Sequence, residues 1–301
     1  MYDNLLIPTD GSDRATHGAR HGLRIARACG ATVHVLGVID TSRIDDLLNR
    51  LTGDRAGVIR QKRESAVEAV ADVARDLGLD VTTAVRRGSP HELLVEYAET
   101  HSIEFVAMGT RQPARLERPL LSGVTETMIR TSAAPVLTCR DHGQPAVSVE
   151  EGYDDILIAT RGGDGSEVAI EQTIEIARRF DATVHALYVV DIRSMAAIKE
   201  EASLDPLIEE LKSDVTEPVA ERARAAGLDA VSTIRQGTPS QDIKEYAAEQ
   251  DIGLILLGTH ARTGLGRLLV GSVAEHTIRT ADRPVVTVRM DKWQTARPTT
   301  P

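Results

Sequence analysis

The sequence predicts an α/β protein made of two tandem domains, each a five-stranded, mostly parallel sheet with helices on both faces. Three observations carry this. Stretches that read as strands alternate with stretches that read as helices. The whole pattern recurs: YDNLLIPTDGSD from Tyr2 matches YDDILIATRGGD from Tyr153, and ATVHVLGVID from Ala31 matches ATVHALYVVD from Ala182, both at an offset of 151. MGTRQPARLERPLLSGVTETMIRTSAAPVLTCR, residues 108–140, matches LGTHARTGLGRLLVGSVAEHTIRTADRPVVTVR, residues 257–289, without gaps at an offset of 149. A period this long is too great for a solenoid repeat and fits the usual size of one domain. The expected division is a first domain at 1–140, a linker at 141–150, a second domain at 151–290 and a disordered polar tail at 291–301 that holds the only tryptophan.

In the first copy, residues 4–8 form a short apolar run that reads as strand one. Ala15, Ala19, Leu23 and Ala26 then recur at helical spacing. Ser12 or Asp13 can cap that helix, and Gly30 ends it before the β-branched alternation ATVHVLGVI. Residues 61–78 repeat apolar positions at three and four and stop at Gly78, after which VTTAV reads as strand three. Helix 91–100, strand 103–108, helix 122–132 and strand 135–139 complete a βαβαβαβαβ unit. Such alternation demands right-handed crossovers and a mostly parallel sheet. Ligands of these sheets bind outside the carboxyl ends of the strands, where the winding reverses. The turns after strand one (Pro8, Thr9, Asp10) and strand four (Gly109 onward) are placed to flank that crevice. Residues 41–62 and 191–214 diverge most between the copies. They read as helical connections over the crevice, either lids or solvated surface helices.

Composition narrows the function classes. The formal net charge of −10 and the pI near 5.4 argue against a nucleic-acid binder that works by phosphate neutralisation. No apolar run approaches the ~20 residues needed to span a bilayer, and the chain opens on strand-like DNLLIP without a secretory pattern, so a cytoplasmic protein with no membrane partner is expected. Only five of the 35 basic residues are lysine, an acidic and arginine-rich balance similar to that of proteins from salt-loving archaea. Cys29 and Cys139 read as small buried residues of a reduced protein. There is no G-x4-G-K-[ST], so a P-loop ATPase is excluded. His17 and His21 lie one helical turn apart and could bind a metal, but no third ligand is evident in the sequence and the pair reads as exposed and solvated. No metal site and no catalytic set is identified; at most weak ATP hydrolysis is expected.

The chemistry-bearing stretch is the glycine-rich turn. A turn at the end of a buried strand points backbone N–H groups at one spot, and the following helix adds the positive end of its dipole, so an anion is favoured there. The spacing is G-x2-G-x9-G-[ST], with NLLIPTDGS at the first strand, Gly-Ser-Pro or Gly-Thr-Pro before helix three, and PVLTCR or PVVTVR at the last strand. In these features the chain resembles the universal stress proteins, over residues 1–140 and 152–290. The resemblance implies a Rossmann-like fold akin to that of adenine nucleotide alpha hydrolases. It further implies ATP or another adenine nucleotide as ligand, with or without Mg2+, and stress-response regulation in place of strong catalysis. It also implies that the terminal strands pair as an intramolecular pseudo-dimer, with a homodimer as a further assembly.

Carried over residue by residue, the resemblance sets Pro8, Thr9, Asp10 and the backbone of Val38 beside the nucleoside in copy one, and Gly109, Thr110, Arg111, Gln112, Ser122, Gly123, Val124 and Thr125 at its phosphates. That phosphate turn is degenerate. Gln112 stands where a glycine is expected, Pro113 lacks an N–H, and Gly-Ser is inverted to Ser122-Gly123. Copy two keeps Gly258, Thr259, His260, Ala261, Arg262, Gly271, Ser272, Val273 and Ala274, with Ala261 the only substituted glycine and Arg267 adding charge. Its nucleoside half is altered: Ala159, Thr160 and Arg161, with Val189, replace the acid-bearing turn. Copy two is therefore the better expected site. Two other readings compete: a nucleotide-free scaffold acting through protein contacts, and a nucleotide-transferring α/β enzyme, which the wrong aspartate and spacing in RGGDGS (161–166) disfavour.

Overall fold

A computed structural model describes residues 2–41, 54–110, 123–140, 148–162, 166–191, 205–259 and 271–289. The chain divides into two compact units, Met1–Glu151 and Gly152–Pro301. The expected tail and most of the expected linker lie outside the described residues.

The first unit runs β1 (Asn4–Thr9), α1 (Asp13–Cys29), β2 (Thr32–Asp40), α2 (Asp54–Asp76), β3 (Val81–Gly88), α3 (Pro90–Thr100), β4 (Phe105–Thr110), α4 (Val124–Thr131) and β5 (Val136–Arg140). Its strands lie in the order β3-β2-β1-β4-β5, all parallel. Central β1 has Leu5, Leu6 and Ile7 at 0% exposure, the continuous apolar run that a strand covered on both faces requires. Edge strand β3 is half-exposed. Ser12 caps α1 by accepting from the Ala15 N–H, and Gly30 closes it at φ 66. Its apolar stripe of Ala15, Ala19, Leu23 and Ala26 is buried.

Several boundaries differ from the sequence reading, mostly by one or two residues, and two of them are instructive. Helix α2 starts at Asp54, well before residue 61, despite Gly57. Its exposed length is supported by ion pairs such as Arg60–Glu64 at 2.7 Å, an (i, i+4) contact that apolar periodicity does not register. Strand β4 starts at Phe105, two residues later than expected, because the Ile103 N–H bonds back to Ala98 O of the α3 end.

The second unit repeats this plan. It has β6 (Asp155–Ala159), α5 (Glu167–Phe180), β7 (Thr183–Asp191), α6 (Asp205–Leu211), a π-helical stretch Lys212–Thr216, α7 (Glu217–Ala225), β8 (Ala230–Gly237), α8 (Pro239–Glu249), β9 (Leu254–Thr259), α9 (Ser272–Thr280) and β10 (Val285–Arg289). The order is β8-β7-β6-β9-β10, again parallel. In both units the winding reverses between the first and fourth strands, so the crevice falls at the carboxyl ends of β1/β4 and β6/β9.

Close approach of α1 to β4 shapes the first crevice. A Cβ on Gly109 would sit 1.9 Å from the Arg14 carbonyl oxygen, and one on Gly18 would sit 2.3 Å from the Gly109 nitrogen. Neither backbone can yield without moving the helix. Gly109→Ala should therefore destabilise the chain by about 2 kcal/mol or more, as overpacking does. A urea-unfolding midpoint unchanged from wild type would contradict this.

Candidate functional site

The two crevices are built alike at the turn after the first strand of each unit. In copy one Thr9 Oγ1 accepts from the Gly11 N–H at 3.2 Å; in copy two Thr160 Oγ1 accepts from the Gly162 N–H at 3.1 Å. Both glycines have positive φ, 77 and 70, which a side chain disfavours. Threonine and glycine thus hold the turn, which explains how it survives the change from Asp10 to Arg161. Register completes the arrangement. Thr9 pairs with Gly37, and Ala159 with Leu187, so Val38 lies level with Asp10 and Val189 level with Arg161. The resemblance had grouped these residues, and the sheet brings each set to one edge.

Asp10 is organised rather than loose. Its Oδ1 accepts from the Ser12 N–H at 3.0 Å and from the Ser12 hydroxyl, and its Oδ2 accepts from Arg14 Nη2 at 2.8 Å. Burial works against ionisation, but the bonds from Ser12 and the Arg14 charge outweigh it and lower the carboxyl below its usual 3.8. The carboxylate's contribution to the turn is present above pH 3.8 and lost as pH falls through the lowered value. Carboxyl NMR titration should place the Asp10 midpoint below 3.8, and a midpoint at or above it would contradict this geometry. Arg161 is exposed on its turn. Asp164, three residues further on and the nearest acid in the sequence that could pair with it, lies outside the described residues.

The helix after β2 or β7 forms a wall of each crevice. A Cβ on Gly11 would meet Ala66 Cβ at 2.9 Å, and one on Gly162 would meet the Val215 methyls at 3.3 Å. Arg63 lies along Gly37 and donates from Nη1 to the Thr9 carbonyl at 3.3 Å. At the position of Gly37 copy two has Tyr188, and at that of Arg63 it has Lys212, the first residue of the π-helical stretch. Sequence reading missed Arg63, because it sits in a divergent helix and only the fold lays that helix on the turn. Of the two connections read as lids or surface helices, residues 42–53 and 192–204 lie outside the described residues, whereas Asp54–Asp76 and Asp205–Leu211 are helical.

On the other side of each crevice, Gly109 and Thr110 end β4, and Gly258 and Thr259 end β9. Each threonine hydroxyl donates at 3.3 Å to the neighbouring strand, Thr110 to Cys139 O and Thr259 to Val288 O. Arg111, Gln112, Ser122, His260, Ala261, Arg262 and Arg267 lie outside the described residues. Gly123 precedes α4 at φ 99 and Gly271 precedes α9 at φ −57; among the described residues neither has an atom within 4 Å of a Cβ placed on it. Ser272, Val273 and Ala274 form the first turn of α9, whose leading N–H groups have no partner within a helix. Glu275 follows them, 3.9 Å from Arg279.

The histidine pair on α1 is corrected. His21 is only 3% exposed and His17 is half-buried, because α1 turns this face towards β5 and not to solvent. Burial, then the charges of His17 and Arg24, push His21 down to about 3, so it is neutral at physiological pH. Sequence reading also passed over a duplicated buried pair. His34 Nδ1 meets Tyr97 Oη at 3.1 Å and His185 Nδ1 meets Tyr246 Oη at 2.9 Å, while Nε2 faces Asn4 in one copy and Asp155 in the other. The signal was available, since both histidines and both tyrosines keep register across the repeat.

An α/β domain with a threonine turn after its first strand and a glycine-led helix after its fourth, present twice, defines the class of protein. The universal stress protein family model matches residues 1–140 and 152–289, and the chain belongs to that family as a tandem member. A universal stress protein of Methanocaldococcus jannaschii is 38% identical over 146 residues, which are 48% of this chain and 86% of that protein. Universal stress protein E of Salmonella typhi is 23% identical over 313 residues, covering 98% of this chain and 96% of its own. The crystal structure of a universal stress protein from Archaeoglobus fulgidus superposes with a TM-score of 0.72 at 20% identity, covering 96% of each chain. No helix among the described residues is long and apolar enough to cross a membrane.

Proposed function

We propose that this chain is a stress-response regulator that binds ATP or a related adenine nucleotide, more tightly in the second domain. Gly271 carries the reading. Among the described residues no atom lies within 4 Å of a Cβ placed there, ahead of the α9 amides and at the carboxyl edge where the Thr160 turn and Val189 stand level; Gly123 of copy one is equally open, so the preference for copy two rests on the sequences of the two turns. The nucleoside would lie against Ala159, Thr160, Arg161 and Val189, and the phosphates at Gly258, Thr259 and the turn through residues 260–262 to Ser272, Val273 and Ala274. Copy one would bind weakly, as Gln112 stands where the family motif has a glycine and Pro113 has no N–H to donate. Denaturing the chain after purification without added nucleotide and assaying released ATP, ADP and AMP tests this directly. Absence of released nucleotide together with no calorimetric response to ATP overturns it.

A second reading has its own observation. Gly109 is required by packing against the Arg14 carbonyl, so a glycine of the motif persists for structural reasons alone. That is what a nucleotide-free scaffold retaining the fold for protein contacts would show, and the same release assay separates the two. As part of the proposal, β5 and β10 pair with each other within the chain, which would cover two apolar strand edges. A crystal structure with these strands on separate surfaces overturns that element.

A further inference from the structure

The sequence offers two histidines one helical turn apart, and the fold supplies a third ligand from a distant segment. Cys139 on β5 meets α1 so that its Sγ and one ring nitrogen each of His17 and His21 all lie within 4.8 Å of one another. The two imidazoles are edge-on, with ring centroids 5.1 Å apart. We propose that His17, His21 and Cys139 form a binding site for a thiophilic divalent cation of the Zn2+ class. The ligand types select that class, because thiolate with imidazole favours zinc-like ions and leaves Mg2+ or Ca2+ without the oxygen shell they require. Bonds of about 2.0–2.3 Å in a tetrahedral set place ligand atoms about 3.3–3.7 Å apart. Side-chain rotations that draw the three groups in by about 1 Å would bring them to that spacing. Binding releases the thiol proton.

The duplication supplies an internal control. At the matching positions copy two carries Val168, Gln172 and Val288, all buried at 7%, 4% and 1% exposure. The same α-helix and strand therefore pack without any ligating set, so packing alone does not demand two histidines and a cysteine in copy one. Arg24, whose charge is felt at His21, opposes a cation, and the thiolate offsets it.

The test uses the full chain, stripped with chelator and titrated with Co2+ as a spectroscopic stand-in for Zn2+. One Co2+ per chain is expected, with a near-ultraviolet thiolate-to-cobalt charge-transfer band that Mg2+ does not prevent. Substitutions taken from copy two keep the fold: Cys139→Val should abolish the band, and His17→Val and His21→Gln should each weaken binding at least about tenfold, since loss of even outer-shell partners has effects of that size. Cys29→Ser should leave the band intact. X-ray absorption of the Zn2+-loaded wild type should show one sulfur and two imidazole ligands, which needs no variant. Absence of the band in wild type, its persistence in Cys139→Val, or a zinc shell without sulfur overturns the site.

Discussion

Gly271→Gln is expected to abolish calorimetrically detectable ATP binding while leaving the fold intact. The glycine has φ −57 and ψ 141, a conformation open to any residue, and a Cβ there meets nothing within 4 Å. Glutamine is therefore tolerated by the unliganded protein, and its side chain projects into the space where the nucleotide reading places phosphate. Losing two charge-assisted hydrogen bonds at about 1.5 kcal/mol each weakens binding about 100-fold. Asp10→Ala in copy one should change ATP affinity little, because that domain's turn carries Gln112 in place of a glycine and Pro113, which has no N–H. Wild-type affinity in Gly271→Gln, or loss of binding in Asp10→Ala, would move the principal site to the first domain. Circular dichroism and a urea midpoint separate this from unfolding.

Arg161→Asp should act in the opposite direction and tighten ATP binding. The turn it occupies is held by Thr160 and Gly162, so exchanging the side chain leaves the backbone in place. Position 161 is level with Val189, where the proposed reading puts the nucleoside, whereas it puts the phosphates at the helix that begins at Ser272. A guanidinium there is poorly placed for phosphate and gives the nucleoside no acceptor, whereas Asp10 in copy one shows that an acid at this point is readily organised. Restoring the carboxylate should gain on the order of 1–3 kcal/mol, about 5- to 150-fold in dissociation constant. Weaker binding in Arg161→Asp would show that the arginine holds an anion and that copy two selects a more highly charged ligand.

The duplication, the α/β class and the edge of the sheet that carries the site are all properties of local pattern. Period, apolar alternation and turn residues act over a few positions, and right-handed crossovers leave little freedom once the element order is known. The same logic placed Thr9 in the turn after strand one and the resemblance carried Thr160 over, whereas the part of Gly11 and Gly162, whose N–H groups close the turns two residues on, came from the structure. Where local signals conflict, the outcome lay outside the apolar pattern: α2 runs through Gly57, and an α3-end hydrogen bond accompanies the late start of β4. Tertiary structure alone decided three matters. It showed that Gly109 answers to the Arg14 carbonyl across the α1–β4 contact, that Arg63 reaches the Thr9 carbonyl, and that His17 and His21 are turned inward against Cys139. Each depends on which helix face packs on which strand, a choice made by burial over the whole domain, and no spacing within a single segment encodes it.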